Sequence, residues 1–273
     1  MTFKVQPGEI ETFQRDGAVC LRAVFADWVA ELRRGVERNE TDPGPYVADN
    51  VPEGAGGRFW DDYCNWDRIA EFRRFAFESD AATVAAALMG SRDVQLFHDH
   101  VLVKEPCTDT ETPWHSDRPY YLVDGRQTVS FWVPLDPIAA GSSLRVIAGS
   151  QHWEQPLEPT RWLSGEAFYR HDPRQPRPYR SLSELGETLD AETILAWDVE
   201  PGDAVAFDFG VVHSAAGNPT ASRRRVFSLR LVGDDARVVQ RPGRTSPPFP
   251  DHGMVAGDRL RPDWFPYLPG PVA

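Results

Sequence analysis

Lysine is almost missing from this chain: Lys4 and Lys104 stand against 27 arginines. A skew of that size reflects a G+C-rich coding bias, so an ordinary arginine here says little about phosphate recognition, whereas Lys104 asks for an explanation. Cysteine is scarce too. Cys20, Cys64 and Cys107 are odd in number, far apart and without a Cys-x-x-Cys pair, which argues against a disulfide framework or zinc knot and suits a reducing cytoplasm. Long apolar runs are absent. The softest stretch, Ala81–Met89, is too short and alanine-rich to span a bilayer, and Met1–Glu9 has neither the basic nor the apolar region of a secretory signal. Basic charge is in deficit, and a net charge of −12 is repelled by the phosphate lattice of nucleic acid.

What is present is material for a large core. The 273 residues include nine Trp and fifteen Phe, a length that permits one large domain or two small ones and that β-barrels use for one. Helical signals come first. Pro7–Phe13 opens a short helix closed by Gly17, followed by a strand at Ala18–Leu21. Asp27–Arg38 and Asp67–Phe77 show helical apolar spacing, and Asp80 is positioned as the N-cap of Ala81–Met89, which Gly90 ends. From Val94 the period becomes two. Val94–Glu105, Gln127–Leu135, Leu144–Ile147, Ala204–Asp208 and Arg225–Val232 read as strands separated by Gly, Asn and Pro turns. Residues 154–190 read as a long insertion and 236–273 as an irregular arm. The expectation is a single α+β, mainly β domain: helices over about 8–90, then a barrel or jelly-roll core over about 94–235.

The chemistry centres on His115-Ser116-Asp117. On extended backbone, residues i and i+2 face the same way, so an imidazole and a carboxylate converge. With one distant His, such a pair forms the facial triad of non-haem Fe(II). His213, just after the strand Ala204–Asp208, is best placed to complete it. His152, His171 and His252 lie in loop-like surroundings and are expected to be solvated. His98 and His100 alternate with Leu96, Leu102 and Lys104, so if Lys104 points inward they do too. Arg223-Arg224-Arg225 opens the next strand after His213, within reach of the same cavity, and Arg suits a bidentate carboxylate anchor.

Five segments together resemble the phytanoyl-CoA dioxygenase family: Val103–Pro106, Thr112–Asp117, Phe131–Asp136, Ala148–His152 and Val212–Asn218. The resemblance runs from about residue 8 to about residue 235. It implies a double-stranded β-helix (a cupin-like jelly roll) that uses Fe(II), 2-oxoglutarate and O2 to oxidise a small molecule. His115, Asp117 and His213 match its iron ligands, and Arg224 its 2-oxoglutarate arginine. Trp132 matches a co-substrate contact, His100 lines the co-substrate pocket, and Lys104 sits in the strand motif before the iron loop. Arg58 is matched to a basic residue that some members aim at 2-oxoglutarate. Two positions depart. Ser116 replaces the commoner Gln, and Ala215 stands where many members have a hydrogen-bonding Ser, for which Ser228 or a tyrosine would have to substitute. Asp117 itself favours hydroxylation or a related oxidation, because halogenating relatives lack that carboxylate. Tyr120, Tyr121 and His98 are pocket-wall candidates; Trp60 and Trp66 could form a lid or simply pack in the core. Two rival readings remain: a jelly-roll metalloenzyme without 2-oxoglutarate, which has no need of Arg224, and a non-catalytic binding module, which has no need of three intact ligands.

Overall fold

Helix α1 (Pro7–Asp16) starts with proline, where a missing N–H costs nothing, and Gln6 and Glu9 form a capping box in which the Gln6 N–H donates to Glu9 at 2.7 Å. Gly17 ends it at φ +76°, a conformation that suits glycine; a Cβ there would meet the Gln151 side chain at 2.3 Å. The computed structural model describes residues 3–54, 56–170, 174, 178–189 and 192–270. In chain order it continues with β1 (Ala18–Leu21), α2 (Val29–Thr41), β2 (Ala48–Asp49), β3 (Phe59–Tyr63), α3 (Ala70–Glu78), α4 (Ala81–Met89), β4 (Gln95–Lys104) and β5 (Thr112–His115). There follow β6 (Val123–Asp124), β7 (Thr128–Pro134), β8 (Leu144–Ile147), α5 (Leu182–Thr188), β9 (Ile194–Ala196), β10 (Ala204–Phe207), β11 (His213–Ala215), β12 (Arg224–Val232) and β13 (Arg237–Val238).

Several boundaries differ from the sequence expectation for local reasons. Ala26–Trp28 form a 3-10 turn, which delays α2 to Val29. The Asn65 carbonyl accepts the Arg68 and Ile69 N–H groups in a turn, which delays α3. Asp80 does precede α4, but its carboxylate accepts the Phe3 N–H at 2.7 Å and caps nothing in its own helix. The strands β3, β5 and β11 escape the period-two criterion because they are short and carry acids, His or Pro where apolar residues would mark them, and β9 is only three residues long.

The strands make two main antiparallel sheets, one of seven strands in the order β1-β10-β7-β12-β4-β3-β2 and one of four in the order β5-β11-β8-β9. The fold is therefore mainly β with five α-helices among the described residues. Helices cover the outer face of the large sheet. Leu32, Val36, Phe72, Phe75, Val84 and Leu88 bury themselves there against Val101, Val103, Phe131, Val133, Phe227 and Leu229. The inner face meets the small sheet through Trp132, Val205 and Phe207 against Leu144, Val146 and Ala215.

Register arranges that inner face into rows. Phe59, Lys104 and Arg224 lie across β3, β4 and β12 in one row, and four residues along, Tyr63, His100, Ser228 and Trp132 form another. His98, Arg230, Ser130 and Phe207 make the next. The 154–190 insertion joins β8 to β9. The C-terminal arm seals one end: the Leu96 N–H donates to the Pro266 carbonyl at 2.9 Å, and Leu260 and Phe265 pack with Phe97 and Phe209.

Candidate active site

His115 ends β5 and His213 begins β11, and the two are register partners across the small sheet, with ring centroids 4.2 Å apart. Asp117 follows two residues after His115. Its Oδ1 lies 3.7 Å from His115 Nε2 and 4.0 Å from His213 Nε2, and one ligand atom from each residue falls within 4.8 Å of the others. The hydrogen bonds of the rings decide their tautomers. His115 Nδ1 donates to the Pro113 carbonyl at 2.8 Å and His213 Nδ1 to the Val211 carbonyl at 3.0 Å, so each Nε2 presents a lone pair to the common point. Burial pushes His115 down to about 3, with His213 adding to the effect, and lowers His213 as well. Burial alone would raise Asp117, but Arg230, followed by His213 and His115, holds its carboxyl below the usual range. Two neutral imidazoles and one carboxylate, all buried, suit a divalent metal of the Fe(II) kind that keeps open positions.

The same cavity, of about 520 Å³, extends from these residues to Lys104 and Arg224. Lys104 Nζ donates to the carbonyls of Thr110 (2.8 Å), Ala216 (3.1 Å) and Ala215 (3.3 Å) and lies 4.4 Å above the Phe59 ring. Arg224 donates to the carbonyls of Ser142 and Gly217. Neither is ion-paired with a carboxylate among the described residues. Burial, then Arg224, lowers Lys104 to about 6, and burial lowers Arg224 to about 10. Buried basic groups with no carboxylate in ion-pair contact favour an anion arriving from outside, and Arg can grip a carboxylate through two N–H groups. This end fits the distal carboxylate of 2-oxoglutarate. Trp132 lines the cavity, as does His100, whose Nε2 meets Asp61 Oδ2 at 2.5 Å; Asn50 donates to Asp61 Oδ1 at 2.6 Å.

At the other end of the wall Arg230 faces Asp117 Oδ2 at 3.4 Å and donates through Nε to the Tyr121 hydroxyl at 2.6 Å. The arginine bias hid Arg230. The signal was there in the period of two that runs Arg224, Val226, Ser228, Arg230 along one face. Asp61 and Tyr63 were missed because β3 was, and the insertion supplies a wall that no local pattern marks. Trp162 stacks on Phe59 at 6.2 Å and meets the His115 ring edge-on at 5.2 Å, while the Tyr120 hydroxyl donates to the Thr160 carbonyl at 2.8 Å.

Other residues lie elsewhere. Arg58 pairs at the surface with Glu40 and Asp49, both at 3.3 Å, and does not line the cavity. Trp60 is buried in the core under the helices, and Trp66 packs against that core; neither covers the cavity, so the lid expectation gives way to ordinary packing. Ser228 sits one row from Arg230, and its hydroxyl has no partner among the described residues. His152 is exposed beside Gln151, His252 accepts the Met254 N–H, and His171 lies outside the described residues.

The sequence profile of the phytanoyl-CoA dioxygenase (PhyH) family matches residues 13–226. No curated protein sequence matches the chain significantly. Among solved structures, the non-heme alpha-ketoglutarate-dependent carbocyclase SnoK from nogalamycin biosynthesis is 19% identical, with 97% of each chain covered and a TM-score of 0.73. The epimerase SnoN in complex with Fe3+, alpha-ketoglutarate and nogalamycin RO is 22% identical, with 96% of this chain and 98% of that one covered and a TM-score of 0.74. EctD from S. alaskensis with 2-oxoglutarate and 5-hydroxyectoine is 22% identical, covers 97% and 88%, and has a TM-score of 0.67. At these identities the likeness is one of fold.

Proposed function

The chain belongs to the phytanoyl-CoA dioxygenase family, and from that premise we propose that His115, Asp117 and His213 hold its iron and that the enzyme hydroxylates a C–H bond of a small molecule. It is a non-haem Fe(II)- and 2-oxoglutarate-dependent dioxygenase. The observation that carries the assignment of residues is the pair Lys104 and Arg224, buried basic side chains with no carboxylate in ion-pair contact among the described residues, at one end of the cavity whose wall also holds the two histidines and the aspartate. A metalloenzyme without 2-oxoglutarate has no use for that anion site, and a binding module has no use for the ligand set.

When bound, iron(II) with 2-oxoglutarate and O2 supplies the oxidising chemistry, yielding succinate and CO2 as the substrate C–H becomes C–OH. The chain's own residues hold and orient. His115 and His213, neutral and locked in one tautomer, offer Nε2, and Asp117 offers Oδ1 while Arg230 draws Oδ2 away. Arg224 clamps the distal carboxylate of 2-oxoglutarate with Lys104 beside it, and Trp132 and His100 line its flank. Trp162 and Phe59 shield the centre from water. The two facing sheets read as a jelly roll in one domain, with the helical layer and C-terminal arm as its supports. A small secondary metabolite is the proposed substrate class, in keeping with the enzymes from nogalamycin biosynthesis that share the fold. No helix among the described residues is long and apolar enough to cross a membrane, and three free cysteines suit the cytoplasm.

The test is anaerobic mixing with Fe(II) and 2-oxoglutarate, followed by admission of O2. Wild type should develop a visible charge-transfer band and then release succinate, and His115→Ala should do neither. A band that persists in His115→Ala overturns the ligand assignment, and a folded wild type without a band overturns the co-substrate site.

A further inference from the structure

Two buried polar atoms near Asp117 have no hydrogen-bond partner among the described residues, and they are of opposite kinds. Arg230 Nη1 is a donor and His98 Nε2 an acceptor, and both are orphaned. The kind of each atom follows from its other bonds. His98 Nδ1 lies 3.0 Å from the Asp99 carbonyl, which can only accept, so Nδ1 carries the hydrogen and Nε2 of the neutral ring keeps a lone pair. Burial, reinforced by Arg230, holds that ring neutral. Arg230 spends Nε on the Tyr121 hydroxyl and on Asp117, which leaves Nη1 unspent. His98 on β4 and Arg230 on β12 are register partners, so their side chains stand next to each other on the inner face, and both line the cavity.

We infer that this pair is a substrate subsite that takes a hydroxyl group carried on a ring or compact hydrocarbon skeleton. The inference rests on the oxygenase reading above and narrows its substrate. A carboxylate, phosphate, ether or ketone oxygen would satisfy Arg230 but turn a lone pair toward the lone pair of His98. An ammonium would satisfy His98 and be repelled by the guanidinium. A hydroxyl accepts from Arg230 and donates to His98 with a single atom. An unmade bond at a buried polar atom costs about 1–3 kcal/mol, so a site built this way rejects analogues that lack the matching group. The walls are aromatic. The His98 ring lies 5.3 Å from Tyr121 and 6.1 Å from Tyr63, both cavity-lining and at steep angles, which leaves ring edges and faces for a hydrocarbon skeleton. Because Arg230 also faces Asp117, a hydroxyl held here lies beside the ligand set, on the wall away from Lys104 and Arg224.

Three probes of one skeleton decide the matter: 2-indanol, its methyl ether and indane-2-carboxylate, titrated by calorimetry into anaerobic protein loaded with Fe(II) and 2-oxoglutarate. 2-Indanol should bind about tenfold or more tighter than either of the others. His98→Phe should erase its advantage over the ether, and His98→Gln, which keeps an acceptor, should retain part of it. An intact visible band in both variants shows that the iron and co-substrate sites are still assembled. Equal binding of alcohol and ether, a preference for the carboxylate, an advantage that survives in His98→Phe, or no binding of any probe at millimolar concentration overturns the subsite. If wild type shows no band, the oxygenase reading fails instead, and the alcohol-to-ether comparison in metal-free protein still decides the hydroxyl claim.

Discussion

Lys104 and Arg224 are both taken out of water without a carboxylate in ion-pair contact, and the consequences differ because one can lose its proton and the other keeps it. Burial and Arg224 lower the Lys104 ammonium to about 6, against three carbonyls that accept from it, so in the empty site it is only partly protonated at pH 7.5. A carboxylate arriving nearby raises it again, so binding of 2-oxoglutarate should take up a measurable fraction of a proton. Calorimetry at pH 7.5 in two buffers of different ionisation enthalpy measures that number. It should vanish in Lys104→Met, and an unchanged number there removes Lys104 from the anion site. Arg224→Gln takes away a charge-assisted pair in a buried place, and the Kd for 2-oxoglutarate should rise on the order of 100-fold with iron binding kept. Lys104 was legible in the sequence because it is rare. Arg224 was legible by its spacing from His213. Arg230, the same residue type six positions further on, was not, because a bias toward arginine makes each one look like background.

Strand β12 shows how one element serves both chemistry and stability. Its inward residues Arg224 and Arg230 line the cavity, while Phe227 between them points outward, fully buried, with Phe72 at 4.6 Å and Phe75 at 5.4 Å. Phe227→Ala should therefore cost about 3–5 kcal/mol in denaturant unfolding and leave 2-oxoglutarate affinity nearly unchanged. A large loss of affinity with little loss of stability would mean the two faces are not separable. Alternation along β4, β7 and β12 was readable because the period of two is local and those strands are long and apolar. Strands β3, β5 and β11 have their conformation imposed by neighbours, and their own residues are chosen for the site, as with His115, His213 and Asp61.

Across the whole molecule, burial readies the ligand set for metal and charges the cost to folding. His115, His213 and His98 are all lowered from the ordinary imidazole value of about 6.5. For a group lowered on folding, the unfolded chain takes up protons first as pH falls. Stability is therefore full above 6.5 and drains away toward the folded value, near 3 for His115. Asp99, which burial raises to about 7, works in the opposite direction and recovers part of the loss. Metal-free protein should lose a few kcal/mol between pH 7 and 5 in denaturant melts. Over the same range the affinity of folded protein for Co(II) should fall much less than two ordinary imidazoles would make it fall, since both histidines are lowered by burial. A tenfold or greater fall in Co(II) affinity by pH 5.5 would contradict the neutral, pre-set site.

By itself the sequence determined what local geometry can carry: the His-x-Asp pair, the inward set on the long strands, the early helices and the anion-binding arginine. Tertiary structure alone decided that Arg230 stands opposite His98, that Asp61 reaches His100, that Trp162 covers His115, and that Arg58 turns away to surface acids. Those are matters of register and packing between segments far apart in the chain. No local period encodes them, because each depends on which strand lies alongside which.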